Sequence, residues 1–228
     1  YPTLTKLSDK TKPSLPPRMN FTSLLLSKIE EIPTLGLKAQ LKMAPPQRFG
    51  TMKTLLAIPE NVRYAAVMML LYPIEGELHF CLIQRSNYAG KHSGQISFPG
   101  GKKEEEDVDY WATALRETQE EVGVDSSKVT LLKQLSSTYI PPSNFYVYPY
   151  MAYVESRPNF IPEKGEVAQV IEVPLNDLLK EASMQEGSIT ASYSDEVVVP
   201  MFVFDSCDVW GATAMILAEA REMILLVK

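Results

Sequence analysis

Histidine and cysteine are scarce in this chain, with two of each among its 228 residues. Two histidines are too few for a histidine-based zinc centre, and His79 is expected to lie on a strand face. Cys81 and Cys207 fall in apolar, strand-like segments, and two cysteines make no disulfide framework. We therefore expect both thiols to be buried small hydrophobic groups in a protein of the reducing cytoplasm.

Long apolar runs and an excess of positive charge are also missing. No apolar run approaches the roughly 20 residues that a membrane-spanning helix needs, which argues against a membrane protein. The formal net charge of -6 argues against a nucleic-acid-binding protein, because such proteins need a basic face to displace counterions from phosphates. A polyanionic substrate must therefore be held by a metal ion or by a local group of cations.

The order of sequence patterns predicts one main domain with an N-terminal extension. Residues 1–18 are rich in proline and polar residues, so they are expected to form an extended arm or a leader. Residues 19–60 are expected to form a helical extension, and residues 61–228 the main domain with a C-terminal helix. Strand-like segments alternate with helical ones in this domain, which predicts an α+β fold with a mixed sheet covered by helices on both faces.

Three acidic residues in one helical segment carry the strongest chemical signal. Glu117, Glu120 and Glu121 stand at positions i, i+3 and i+4, so their carboxylates converge on one helix face. Most runs of charged residues are solvated surface. Here Arg116 directly precedes Glu117 and Gly123 follows shortly after Glu121, so the acidic residues are part of a longer pattern. Repelling oxygen ligands of this kind suit a hard divalent cation, Mg²⁺ or Mn²⁺, that also binds substrate phosphates.

The segment from Phe98 to Val124 resembles the Nudix box, a pattern of Gly, five residues, Glu, seven residues and then Arg-Glu-U-x-Glu-Glu-x-Gly-U, where U is aliphatic. The second half of the pattern matches at Arg116, Glu117, Glu120, Glu121, Gly123 and Val124. Counted from Gly101, the arginine comes one residue late, and Asp107-Val108-Asp109 stands where the isolated glutamate belongs. Asp107 or Asp109 is expected to cap the helix.

The lengthened box is similar to that of the Nudix subfamily that cleaves coenzyme A (CoA). That subfamily also has an upstream motif, which is matched here by Leu82-Ile83-Gln84-Arg85-Ser86, by Gly94 and by Phe98-Pro99-Gly100-Gly101. Gly90 stands where the motif has a second arginine, with Lys91 beside it as a substitute cation. A lysine lacks the planar fork of arginine, so the identity of the phosphate ester stays open.

The resemblance implies a Nudix fold and a set of site residues. It implies metal ligands at Gly100, Glu117, Glu120 and Glu121, catalytic roles for Glu117, Glu120 and Arg116, and substrate-binding roles for Arg85, Ser86, Lys91, His92 and Gly94. Four alternatives remain for the general base: Glu117 and Glu120 of the helical segment, and Glu163 and Glu166 of a distant loop.

Three functions remain open at the level of sequence. The first is metal-dependent hydrolysis of CoA or acyl-CoA to 3′,5′-ADP and (acyl-)4′-phosphopantetheine. The second is hydrolysis of another nucleoside diphosphate derivative, such as ADP-ribose, a dinucleotide or a nucleoside triphosphate. The third is a non-catalytic Nudix-fold binding protein, against which the intact acidic cluster argues. The expected partner is a small diphosphate substrate, and a homodimer is compatible with the sequence without being specified by it.

Overall fold

A computed structural model describes residues 21–45, 58–86, 94–190 and 196–227 of the chain. The predicted arm at 1–18 lies outside the described residues, so it stays a prediction. In the ranges just given, no helix is both long and apolar enough to cross a membrane.

The described residues form five α-helices and two β-sheets. The helices are α1 (Phe21–Lys28), α2 (Gly36–Gln40), α3 (Tyr110–Val122), α4 (Leu175–Leu179) and α5 (Gly211–Val227). The large sheet contains β1 (Arg63–Ile74), β2 (Glu77–Arg85), β3 (Ile96–Ser97), β4 (Gly100–Lys102), β5 (Thr130–Gln134), β6 (Thr138–Ile140), β7 (Phe145–Tyr153) and β8 (Val167–Pro174). The small sheet contains β9 (Met184–Thr190), β10 (Glu196–Val203) and β11 (Asp208–Trp210).

The central strands β1 and β7 make the large sheet mixed. They run parallel, whereas β2 and β4 pair with β1 in antiparallel fashion. A parallel pair needs a long crossover, and the chain between β1 and β7 includes α3. The tight turn between β1 and β2 uses Glu75 at φ 50° and Gly76 at φ 85°, a left-handed backbone pair that matches the twist of a hairpin.

Alternation along β1 divides the core into two layers. Ala66, Met68 and Tyr72 belong to the layer that contains Ala114 and Val122 of α3. Residues of the opposite alternation, such as Met69 and Leu71, belong to the layer that contains most of α5. Because successive strand residues point to opposite faces, one apolar strand serves both layers. The predicted α+β sandwich of a mixed sheet between helices is confirmed.

A buried carboxylate connects the N-terminal helices to α5. Glu219 of α5 is fully buried and accepts hydrogen bonds from the backbone N–H groups of Leu35, Gly36 and Ser136, from Ser136 Oγ and from Gln40 Nε2. These contacts join α2, the β5–β6 connection and α5 at one point. The domain boundaries at 18 and 60 stay predictions, while α2 and α5 pack directly against each other.

Two details of the sequence interpretation were wrong. Cys81 is buried in β2, but Cys207 lies in the turn between β10 and β11 and is only partly buried. The sequence interpretation also missed the strands β3, β4, β6, β9 and β11, because each depends on pairing with a neighbouring strand rather than on a strong apolar alternation of its own.

Candidate active site

Helix α3 is held in register by specific caps at both ends. The carboxylate of Asp109 accepts a hydrogen bond from the backbone N–H of Ala112 at 2.7 Å, so Asp109 is the N-cap residue. At the other end Gly123 takes a left-handed φ of 73°, and its N–H donates to Gln119 O at 2.9 Å. Of the two capping candidates, Asp109 is confirmed.

The Gly100–Gly101 pair brings backbone directly against the acidic helix. Gly100 has a φ of 148°, and a Cβ there would lie 2.3 Å from Ala66 O. A Cβ on Gly101 would lie 2.4 Å from the carboxylate carbon of Glu117. Gly100 therefore requires glycine, since a side chain there would collide with the backbone of β1, whereas a side chain at Gly101 would force the Glu117 carboxylate to move.

Glu121 is the most deeply buried of the three acidic side chains, with 1% of its surface exposed. Its Oε2 accepts a hydrogen bond from Gly100 N at 2.8 Å, and its Oε1 lies 3.2 Å from Nη1 of Arg85. Burial raises the pKa of Glu121 to about 7, although the Gly100 N–H and Arg85 both act to lower it. Burial thus makes the ionised form of Glu121 unfavourable, and a nearby cation would stabilise that form.

Arg116 connects the other two glutamates of the helix with Asp107 of the preceding loop. Its Nη1 lies 2.9 Å from Glu117 Oε1 and 2.9 Å from Glu120 Oε2. On the opposite side its Nε and Nη2 each donate to Asp107, at 3.0 Å. Such a bidentate pair fixes the plane of the guanidinium, so Asp107 determines where Arg116 meets the two glutamates.

Asp107 is the site residue that sequence reasoning missed. It is buried, and it also accepts hydrogen bonds from Glu104 N and from Thr113 Oγ1, both at 2.9 Å. These hydrogen bonds, above all those from Arg116, lower its pKa to about 2. The signal was present in the sequence, because an acidic residue stands close to where the Nudix pattern has its isolated glutamate.

The connection between β7 and β8 places the backbone of two further acidic residues next to Glu121 and Ser86. The backbone N–H of Glu163 donates to Glu121 O at 2.9 Å, and Glu166 O accepts a hydrogen bond from Ser86 N at 2.8 Å. The charge of Glu166 contributes to the raised pKa values of both Glu117 and Glu121, after the larger effect of burial. Glu166 therefore belongs to the same electrostatic group as the box glutamates.

The donor chemistry of these residues fits a hard divalent cation. Glu121 is buried and Glu117 is partly buried, both have raised pKa values, and a cation would relieve both their desolvation and their mutual repulsion. Within the described ranges no three acidic, histidine or cysteine side chains converge closely enough to hold a metal ion by themselves. Glu121 pairs with Arg85, whereas Glu117 and Glu120 pair with Arg116, so the three carboxylates do not face one point. The side chain of Glu120 is exposed to solvent. The ligand set Gly100, Glu117, Glu120 and Glu121 stays a prediction.

The predicted substrate-binding residues are only partly within the described chain. Arg85 and Ser86 lie at the end of β2, beside Glu121 and Glu166 respectively. Gly94 adopts a left-handed φ of 69° just before β3. Lys91 and His92, like Gly90, lie outside the described residues. The upstream motif and the box therefore meet at one point, through Arg85 and Glu121.

Comparison with known proteins agrees with this architecture. The model of the NUDIX domain matches residues 62–193. Nudix hydrolase 15, mitochondrial, of Arabidopsis thaliana is 33% identical over 166 residues, which cover 70% of this chain and 58% of the plant protein. An uncharacterised Nudix hydrolase of Yersinia enterocolitica, NudL, is 32% identical over 164 residues, covering 72% of this chain and 83% of the bacterial protein.

A solved structure supports the fold itself. The crystal structure of a MutT/nudix family protein from Enterococcus faecalis superposes with a TM-score of 0.51 at 18% identity, and the match covers 82% of this chain and 72% of that chain. Because the family model spans more than half of the sequence, this chain belongs to the Nudix family.

Proposed function

We propose that this protein hydrolyses the diphosphate bond of CoA or acyl-CoA, releasing 3′,5′-ADP and 4′-phosphopantetheine or its acylated form. The observation that carries the proposal is the contact between Arg85 and Glu121, at 3.2 Å. Arg85 belongs to the upstream motif that is similar to that of CoA-cleaving Nudix proteins, and Glu121 belongs to the lengthened box. Their contact supports treating the two motifs as parts of one site.

Nudix hydrolases generally need a divalent ion such as Mg²⁺ or Mn²⁺, and Gly100, Glu117, Glu120 and Glu121 are the residues we propose to hold it. When bound, such an ion neutralises the diphosphate, polarises phosphorus and activates water. The chain's own part is to fix the carboxylates. Arg116 orients Glu117 and Glu120, and the Gly100 N–H orients Glu121.

Proton removal from the attacking water requires a carboxylate that is ionised near neutral pH. Glu117 and Glu120 are candidates by their position on α3. Glu163 and Glu166 are the alternatives. Glu166 is favoured, because its charge acts on Glu117 and Glu121, whereas the contact of Glu163 with the site is made by its backbone N–H. Glu117→Gln, Glu120→Gln and Glu166→Gln, measured separately, distinguish the candidates. Loss of the base should remove the part of the pH–rate profile in which the rate rises with pH as the base loses its proton.

A second candidate function is hydrolysis of another nucleoside diphosphate derivative, such as ADP-ribose. The feature that favours it is Gly90, which replaces an arginine of the upstream motif. A non-catalytic binding role is disfavoured by the chain itself. Burying Glu121 beside Glu117 costs stability, and a protein without catalysis has no physical reason to keep such a repulsive pair.

The test is incubation of the purified protein with CoA, or in parallel with ADP-ribose, in the presence of Mg²⁺ or Mn²⁺. Products are separated by chromatography and identified by mass. We expect 3′,5′-ADP from CoA, and we expect Glu121→Gln to abolish it while leaving the thermal unfolding midpoint close to that of the wild type. Turnover of ADP-ribose alone would reject CoA as the substrate. Turnover of neither would reject both of these substrates and favour another diphosphate substrate or the non-catalytic binding role.

A further inference from the structure

Two buried hydroxyl groups, Tyr72 Oη and Ser97 Oγ, have no hydrogen-bond partner among the residues that the structure describes. Burying a hydroxyl in this way costs stability, because its hydrogen bonds with water are lost and no others replace them. Such groups are rare in folded proteins, and one explanation for them is a role in binding or catalysis. The position of each hydroxyl relative to the acidic helix decides whether that explanation applies.

Strand alternation places the side chain of Ser97 on the sheet face that α3 covers. Ile96 and Phe98 pack in the opposite layer, which contains most of α5. Ser97 lies between them, and it pairs with Ile83 of β2, a residue of the α3 layer. Successive residues of a strand point to opposite faces, whereas directly paired residues share a face. Ser97 therefore points to the side of the sheet where α3 carries the acidic residues of the box.

Ser97 is also a neighbour of both groups that hold Glu121. The N–H of Arg85 donates to Gln95 O at 3.0 Å, so the β2–β3 ladder continues as far as Arg85. Ser97 and Arg85 are then diagonal neighbours in this ladder, with a Cα separation of about 7–8 Å. The side chain of Arg85 reaches the α3 side, since its Nη1 lies 3.2 Å from Glu121 Oε1. Gly100, which follows Ser97 closely in the chain, donates its N–H to Glu121 Oε2.

The hydroxyl of Tyr72 lies far from this group. Tyr72 stands five residues beyond Val67, the partner of Gly100 in the β1–β4 ladder. At about 3.3 Å per residue, this is a separation of about 16 Å along β1. Burial is the main reason that the pKa of Tyr72 is raised, and the nearby charge of Glu172 adds to it. Of the two hydroxyls, only that of Ser97 lies beside the acidic site.

We infer that Ser97 Oγ donates a hydrogen bond to a phosphate oxygen of the diphosphate substrate, which supplies the partner that the hydroxyl otherwise lacks. A hydroxyl suits this role, because hydrogen bonds to an anionic oxygen are stronger than those between neutral groups. Arg85 adds positive charge next to the same place. A donor that is buried before the substrate arrives needs no reorganisation on binding. The inference rests on the proposed hydrolysis of a diphosphate, but it does not require CoA as the substrate.

The test is calorimetric titration with α,β-methylene-ADP, a diphosphate analogue that is not hydrolysed between its two phosphorus atoms, in the presence of Mg²⁺. Ser97→Ala is expected to raise the Kd about tenfold, the factor that corresponds to loss of one hydrogen bond to a charged group. It should also raise the thermal unfolding midpoint by about 2–4 °C, because an unpartnered buried hydroxyl is removed. Ser97→Thr retains a hydroxyl and is expected to retain most of the affinity.

Tyr72→Phe is the matched control, because it removes the other unpartnered hydroxyl. We expect it to leave the Kd for the analogue at the wild-type value. Weaker binding together with a higher midpoint in Ser97→Ala would uphold the inference even if CoA were not cleaved. An unchanged Kd in Ser97→Ala, or weaker binding with a lower midpoint, would overturn it. Failure of the wild type to bind the analogue would overturn it as well.

Discussion

At the scale of single residues, the two glycines of the turn show how closely the backbone approaches Glu117, which we propose to be catalytic. In Gly101→Ala the new Cβ would meet the Glu117 carboxylate at 2.4 Å, so the carboxylate must move. We expect kcat to fall about 10- to 100-fold, because displacing a catalytic group by about 1 Å costs this much. The measurement is kcat together with the thermal unfolding midpoint.

The matched control is Gly76→Ala in the distant β1–β2 turn. Its φ of 85° strains an alanine, but no atom lies within 4 Å of the added Cβ. We expect a lower unfolding midpoint with kcat preserved. If both variants lost activity in proportion to stability, the close approach at Gly101 would have no specific catalytic importance.

Asp107 gives a residue-scale prediction with a defined pH dependence. Its pKa of about 2 in the folded protein is below the value of about 3.9 of an unfolded chain. The ionised group therefore stabilises the fold above the unfolded-state value, and this contribution is lost as the pH falls towards 2. We expect Asp107→Asn to lower the free energy of unfolding by about 1–3 kcal/mol at pH 7.

Urea denaturation at pH 7 and at pH 3 measures this difference. The gap between wild type and Asp107→Asn should narrow at the lower pH, since the wild-type carboxylate then begins to lose its advantage. Glu105→Gln serves as the control, because Glu105 is exposed and should change stability little at either pH. A gap that widened at pH 3 would contradict the assigned role of Asp107.

At the scale of elements, α3 is defined by its ends as much as by its apolar face. Removing the N-cap in Asp109→Ala leaves an orphaned N–H in the first turn, and we expect a loss of about 1 kcal/mol in the free energy of unfolding. Asp109→Ser retains a capping oxygen and should recover most of that loss. Urea midpoints measure both variants. Equal losses for alanine and serine would show that Asp109 does not act as a cap.

At the scale of the whole molecule, Glu219 joins helices that are distant in sequence. In Glu219→Gln one acceptor oxygen becomes an N–H donor and faces donors from Leu35, Gly36 or Ser136. We expect the free energy of unfolding to fall by about 2–4 kcal/mol, because buried donors lose their acceptor. Guanidinium denaturation measures it. Glu222→Gln, which breaks only the more exposed pair with Lys42, should cost less than about 1 kcal/mol.

Local patterns in the sequence predicted the elements that depend on local forces. The helical segment with Glu117, Glu120 and Glu121, the Gly123 after it and the strand that holds Cys81 were identified from residue type and spacing. The role of Asp107 was not identified, because the sequence does not distinguish an aspartate that caps a helix from one that binds an arginine. The contact between Asp107 and Arg116 exists because the loop before α3 folds back onto the helix, and residue spacing does not show this.

The sequence by itself determined the alternation of β1, the glycine turn and the helical spacing of Glu117, Glu120 and Glu121, because each follows from backbone sterics and side-chain periodicity. Only the tertiary structure decided how Arg85 reaches Glu121 and why Glu219 is buried. Those relations depend on register between segments far apart in the chain, and register is fixed by packing over the whole sheet.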